Sequence, residues 1–131
     1  MGVAYLAPVK ILIVEDDPLI LGFLESWLLS CRHEVRAYVS GESAMEILRA
    51  WQPEILLCDL GLPGVSGEEI ARAALALPRR ARVVLTSGEP LRLARARALA
   101  DAVLLKPFLM EELTDVIDAP DARVRVWPLV R

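Results

Sequence analysis

Three carboxylates, a hydroxyl and a lysine stand where short apolar runs end. Glu15 and Asp16 follow Lys10–Val14, and Asp59 closes Ile55–Cys58. Thr86 closes Arg82–Leu85, and Lys106 follows Ala102–Leu105. An apolar run of four or five residues closed by polar or turn residues is too short for a helix and reads as a strand buried on both faces. Packing gives no reason for such a strand to finish in an ionisable side chain, because a carboxylate is costly to desolvate. These residues are therefore expected at strand carboxyl ends, facing a polar crevice. Crowded there, Glu15, Asp16 and Asp59 would repel and raise one another's pKa. A hard divalent cation relieves this. Mg²⁺ fits, since it takes one or two protein carboxylates, keeps several waters and shares a phosphate oxygen. Lys106 adds a point charge suited to a phosphoryl oxygen, and Thr86 a hydroxyl able to donate to another. The set matches in-line phosphoryl transfer, where positioning and charge neutralisation dominate. The acceptor would be a carboxylate, Asp59.

The elements that position these residues follow one another without slack. After the first strand, Asp17-Pro18 reads as an N-cap and a first-turn proline, opening a helix with Leu19, Ile20, Phe23, Leu24, Trp27 and Leu28 at helical spacing. Glu34–Val39 is a short strand. Ser40-Gly41 opens a second helix with Ala44, Ile47, Leu48 and Trp51 on one face, stopped by Pro53. Ser66-Gly67-Glu68-Glu69 fits a capping box, and its helix carries Ile70, Ala73, Ala74 and Leu77. A short Ala/Arg-rich helix covers roughly residues 90–100, and a last one about 109–118, with Leu113, Val116 and Ile117 inward. Strands and helices alternate five times. That implies right-handed crossovers and a parallel sheet covered on both sides, with ligands beyond the strands' carboxyl ends.

A chain of 131 residues is one domain on the usual length prior. A net charge of −3 argues against a nucleic-acid-binding body. Cys31 and Cys58 have neither metal nor CxxC spacing and read as reduced thiols of a cytoplasmic protein. No apolar run approaches the roughly 18 residues that would span a bilayer, and the start of the chain has no secretion-signal layout.

The motifs Ile-Val-Glu15-Asp16-Asp17-Pro18, Asp59-Leu-Gly-Leu62-Pro63-Gly-Val-Ser-Gly67, Leu-Thr86-Ser87 and Lys106-Pro107-Phe108 resemble those of the receiver domain of two-component response regulators. The resemblance covers about residues 9–117. It implies a flavodoxin-like (βα)5 three-layer sandwich of strand order 2-1-3-4-5, over residues 8–118. It makes Asp59 the phosphoacceptor and Asp16 a direct Mg²⁺ ligand. Glu15 becomes a ligand held through water, and the Gly61 backbone carbonyl completes the metal site. Thr86 becomes the switch hydroxyl, Lys106 the partner of Asp59 or its phosphate, and the bond to Pro107 cis. The donor it implies is a phosphohistidine on a sensor histidine kinase or phosphotransfer protein. The output is an unidentified downstream protein, with no enzymatic turnover beyond the chain's own phosphorylation and dephosphorylation.

The chain departs from the pattern in places. Val103 stands where receivers carry an aromatic switch residue, so coupling of Thr86 to the face formed by the fourth helix, fifth strand and fifth helix would use smaller displacements. The fourth helix should be stubby. Leu109 leaves the last helix without its usual cap. Gly61 and Gly88 occupy the places whose side chains tune water access to the acyl phosphate.

Plainer readings stand beside these. Asp17 is a cap rather than a ligand, and Trp27 and Trp51 are packing residues. His33, between Arg32 and Glu34, is expected to be exposed. Arg92, Arg95 and Arg97 form a solvated face or a partner surface. Residues 119–131 lie outside the receiver pattern. They are either a mobile terminus or, through the alternation Arg123–Trp127, a strand for a sheet edge or a second subunit. A homodimer would use that tail or the face around the fifth strand. Three functions remain open at this stage: a phosphoacceptor switch, alone or cut from a larger regulator; an aspartyl-phosphate hydrolase, for which Gly61 lacks the expected second acid; and a receiver-shaped scaffold that needs no phosphorylation.

Overall fold

The computed structural model describes residues 8–118 and the backbone of 125–127. The elements are β1 (Lys10–Val14), α1 (Pro18–Ser30), β2 (Glu34–Tyr38), α2 (Gly41–Trp51), β3 (Ile55–Asp59), α3 (Gly67–Leu75), β4 (Arg82–Ser87), α4 (Pro90–Ala96), β5 (Ala102–Leu105), α5 (Met110–Asp118) and β6 (Arg125–Trp127). A 3₁₀ turn, Arg97–Leu99, extends the short α4. All pairings are parallel, in the order β2-β1-β3-β4-β5-β6.

The expected order 2-1-3-4-5 is therefore present, with a sixth strand added beside β5. That strand falls in the segment whose alternation suggested pairing. The remaining tail positions, 119–124 and 128–131, lie outside the described residues.

Two apolar layers cover the sheet. On one face Leu12, Leu56, Val83, Leu85 and Val103 pack under α2, α3 and α4, through Ala44, Leu48, Ile70, Ala74, Leu93 and Ala96. On the other, Ile11, Ile13, Leu57, Val84 and Leu104 pack under α1 and α5, through Leu21, Leu24, Leu28, Leu113, Val116 and Ile117. Trp27 ties α1 to α5 by donating its indole N–H to Thr114 Oγ1 at 2.9 Å. Trp51 lies beside the Lys10 and Arg36 cations, 5.4 and 4.9 Å from its ring centre. Both tryptophans are packing residues, as expected.

Local chemistry sets the helix starts. Asp17 accepts the Leu19 N–H at 2.9 Å, and Ser66 accepts the Glu69 N–H at 3.1 Å. The Leu109 N–H is taken instead by the Glu112 carboxylate at 2.9 Å, so α5 is capped from inside its own first turn.

Helix α1 forms as its spacing predicts, and part of its apolar pattern faces outward. Leu19 and Phe23 are exposed, at 74% and 70%. Helix α1 is apolar around most of its circumference, and Leu21, Leu24 and Leu28 define its inner stripe. His33 is buried rather than exposed. Its Nδ1 accepts the Val9 N–H at 3.2 Å, which closes the turn leading into β2 against the start of β1.

Gly67 lets α3 begin directly against the end of β3. A Cβ at that position would stand 2.5 Å from the Asp59 carbonyl oxygen and 2.9 Å from the Leu60 Cα. Gly22, in contrast, is an exposed helical glycine with no neighbouring atom within 4 Å of a built Cβ. Urea unfolding should therefore give opposite signs for the same substitution. Gly67→Ala should lose about 1–3 kcal/mol through overpacking, and Gly22→Ala should gain roughly 0.5–1 kcal/mol from helix propensity.

Candidate functional site

The register of the sheet assembles the site. Val14 pairs with Cys58, so Glu15 and Asp59 stand level at the ends of β1 and β3. Asp59 pairs with Thr86, and Ser87 with Leu105, one residue before Lys106. Four strands thus deliver Glu15, Asp16, Asp59, Thr86 and Lys106 to one edge. Every one of these positions agrees with the strand-end reading.

One carboxylate oxygen from each of Glu15, Asp16 and Asp59 lies within 4.8 Å of the other two. Glu15 and Asp59 are buried, and Asp16 is exposed at the rim. Each buried acid has a donor. Asp59 Oδ1 accepts the Gly61 N–H at 3.3 Å, and Glu15 Oε2 accepts the Asp17 N–H at 3.1 Å. Lys106 Nζ reaches Glu15 Oε1 at 2.5 Å and Asp59 Oδ2 at 3.6 Å. The expected pairing of Lys106 with Asp59 is present, and a shorter contact to Glu15, not read from the sequence, stands beside it. Thr86 is buried beside Asp59, and its carbonyl accepts the Leu60 N–H at 2.9 Å.

Burial raises the Glu15 pKa, and the Asp59 charge adds to this. The Lys106 and Asp17 hydrogen bonds oppose it without cancelling it. For Lys106, burial acts downward, but its hydrogen bond to Glu15 and the two acidic charges prevail, and its pKa is raised. The Cys58 thiol is pushed far up by burial and is inert as a nucleophile.

The donor set suits a small, hard cation: carboxylate oxygens only, one of them open to water, with excess negative charge. Gly61 puts no side chain against the acid, where a Cβ would stand 3.5 Å from Asp59 Oδ2. At Gly88 a Cβ would have no atom within 4 Å.

A feature not read from the sequence surrounds this edge. The exposed apolar residues Leu19, Phe23 and Leu109 flank it. Ile20, Phe23, Leu24, Pro107, Phe108 and Met110 line a cleft with Lys106 in its wall. Around the helix, Leu19 and Phe23 fall opposite Leu21 and Leu28, but the apolar pattern of α1 alone does not say which side is inward.

A doubly wound parallel sheet with an acidic cluster, a hydroxyl and a lysine at its carboxyl edge is the receiver arrangement. The family model described as response regulator receiver domain matches residues 11–118. The chain belongs to that family. The transcriptional regulatory protein PrrA of Mycobacterium bovis is 29% identical over 113 residues, which cover 84% of this chain and 48% of PrrA. The chain spans about half or less of the length of such curated relatives. Among solved structures, the signal receiver domain of a response regulator from Bermanella marisrubri superposes with a TM-score of 0.76 at 27% identity, covering 85% of this chain and 96% of that one. The receiver domain of the sensor histidine kinase PA1611 from Pseudomonas aeruginosa PAO1 gives 0.75 at 27%, covering 85% and 95%. It carries a magnesium ion in its active site cleft. No described helix is long and apolar enough to cross a membrane.

Two solution measurements check the electrostatics. A carboxylate with a raised folded-state pKa binds its proton more tightly folded than unfolded, so its contribution to stability grows as pH falls. Lys106→Met removes the hydrogen bond that holds Glu15 down. That variant should therefore become more stable relative to wild type as pH falls from neutrality toward the ordinary carboxylate range; a pH-independent difference would contradict the Glu15 assignment. In a thermal melt, Mg²⁺ at ten times its dissociation constant should add about 1.4 kcal/mol to wild type, roughly 5 °C for a domain of this size. Asp16→Ala should show almost no shift.

Proposed function

We propose that this chain is a phosphoryl acceptor that takes its group on Asp59 from a phosphohistidine protein and thereby alters its binding to a downstream protein. The observation that carries this reading is the convergence of Glu15, Asp16, Asp59, Thr86 and Lys106 at one edge, with no side chain at Gly61 against Asp59.

A carboxylate oxygen of Asp59 attacks phosphorus, the phosphorus–nitrogen bond to the donor imidazole breaks, and the imidazole leaves with the bonding pair. Hydrolysis reverses the state: water attacks phosphorus, the acyl phosphate bond breaks, and carboxylate and inorganic phosphate result. Mg²⁺ held by Glu15, Asp16 and Asp59, with the Gly61 carbonyl as a further ligand, would offset charge on the phosphoryl oxygens. Lys106 then has two claims on it, the Glu15 carboxylate it already bonds and the new phosphoryl oxygens. Thr86, level with Asp59 on the adjacent strand, would donate its hydroxyl to another of those oxygens. The chain performs no other turnover in this reading.

A protein donor must bring its phosphohistidine over this rim, so the surface ringing Asp59 is where it docks. Leu19, Phe23 and Leu109 supply exposed apolar contact there. The partner is a sensor histidine kinase or a phosphotransfer protein with a complementary apolar face.

Acetyl phosphate with Mg²⁺ should modify wild type stoichiometrically by mass spectrometry, and the adduct should map to Asp59. Asp59→Asn and Asp16→Ala should stay unmodified, whereas Lys106→Ala should accept the group slowly and fail to change partner binding. Modification elsewhere, or sustained multiple turnover, would reject the reading. Phe23→Ala should slow transfer from a phosphohistidine protein about tenfold, a loss of roughly 1.4 kcal/mol, while leaving acetyl phosphate labelling unchanged.

A further inference from the structure

The handedness of one connection sets β6 apart. From β1 the chain steps outward to β2 through α1, on one face of the sheet. From β2 to β5 it steps in the opposite direction through α2, α3 and α4, on the other face. Reversing both direction and face preserves the hand, so these four crossovers share the right-handed form found in about 98% of such connections. Helix α5 returns to the α1 face, as the Trp27–Thr114 hydrogen bond and the shared apolar layer show. Yet β6 lies beyond β5, in the same direction as the step from β4 to β5, and parallel to it. A parallel step in that direction through a helix on the α1 face is left-handed.

The strand is short. It is three residues long, in the register Ala102↔Arg125, Val103↔Val126 and Leu104↔Trp127. Its backbone is hydrogen-bonded along the outer edge of β5. Without it, the outer edge of β5 would present unpaired backbone groups along a buried strand, a ready template for another chain.

We infer that β6 pairs with β5 of a second copy of this chain, each copy lending its strand to the other in a two-fold dimer. A strand donated in trans carries no handedness constraint, because no helix of the acceptor leads into it, while β5 receives the same backbone donors and acceptors. The chain is long enough. Seven residue steps separate Asp118 from Arg125, a reach of roughly 23–25 Å when extended. In a two-fold exchange β6 lies two strand spacings, about 10 Å, from its own β5 and runs opposite to it, so the linker also retraces the length of the nine-residue α5, about 14 Å; both fit within that reach. Strand exchange asks nothing of Asp59, so it stands or falls separately from the phosphoryl chemistry.

Sedimentation velocity on the full chain at tens of micromolar should give twice the 14.5 kDa chain mass. Backbone groups alternate in direction along a strand, so one of two adjacent prolines necessarily meets the ladder. The double variant Arg125→Pro/Val126→Pro should therefore be monomeric, with unchanged far-ultraviolet dichroism. In an equal mixture of ¹⁵N-labelled and ¹³C-labelled chains, filtered NOEs should join Val103 of one copy to Val126 of the other. A monomeric wild type, a dimer that survives the two prolines, or NOEs confined to one chain would each overturn the inference.

Discussion

Mutual repulsion among three carboxylates governs this molecule. At 4.8 Å, two unit charges repel by about 1 kcal/mol in water and by roughly 3–4 kcal/mol at an effective dielectric of 20. Glu15 and Asp59 are buried as well, which adds the cost of removing charge from water. The fold offsets this with specific donors: the Asp17 N–H, the Gly61 N–H and the Lys106 ammonium. Three acids against one lysine still leave excess negative charge at the rim. That excess gives the edge its affinity for a hard cation, and it is why an incoming phosphoryl group needs one.

The parallel sheet makes such crowding unavoidable and also useful. All strands run the same way, so their carboxyl ends lie on one edge, and the register alone decides which side chains become neighbours. Level pairing of Val14 with Cys58 and of Asp59 with Thr86 places acid, acid and hydroxyl side by side. Gly67 supports the same edge from the other direction. Only a residue without Cβ allows α3 to start against the Asp59 carbonyl, and this keeps the turn after β3 tight around the acid. A one-residue slip in any of these strands would turn its functional side chain to the opposite face.

Most of this was legible in the sequence, because it rests on local signals. Apolar runs closed by Asp59, Thr86 and Lys106 marked the strand ends, and Asp17, Ser66 and Pro53 marked helix boundaries that the structure reproduces. What escaped depends on three-dimensional neighbours. Nothing in the spacing of Lys106 distinguishes Glu15 from Asp59 as its nearer partner; the sheet does, by setting their carboxylates at different distances. His33 reads as exposed because its sequence neighbours are charged, but its partner is the Val9 backbone, brought alongside by the β1–β2 pairing. Leu19 and Phe23 fit an apolar helical pattern, yet a helix apolar nearly all round does not say which stripe is inward until α5 is seen packed beside it.

Val103 decides how far a change at Asp59 can travel through side-chain motion. It is 1% exposed, β-branched, and flanked by Leu85 on one side and the backbone of Val126 on the other. A β-branched side chain enclosed in this way is restricted at χ1. Lys106 has more freedom: it is partly exposed, it contacts two acids at unequal distances, and it forms part of the wall of the apolar cleft with Pro107, Phe108 and Phe23. Any shift of its ammonium from Glu15 toward a group on Asp59 therefore reshapes the cleft beside α1 directly. The acidic cluster and the apolar cleft share this one side chain. In the proposed reading, charge at Asp59 and the fit of a partner at the rim would be coupled over a few ångströms through Lys106.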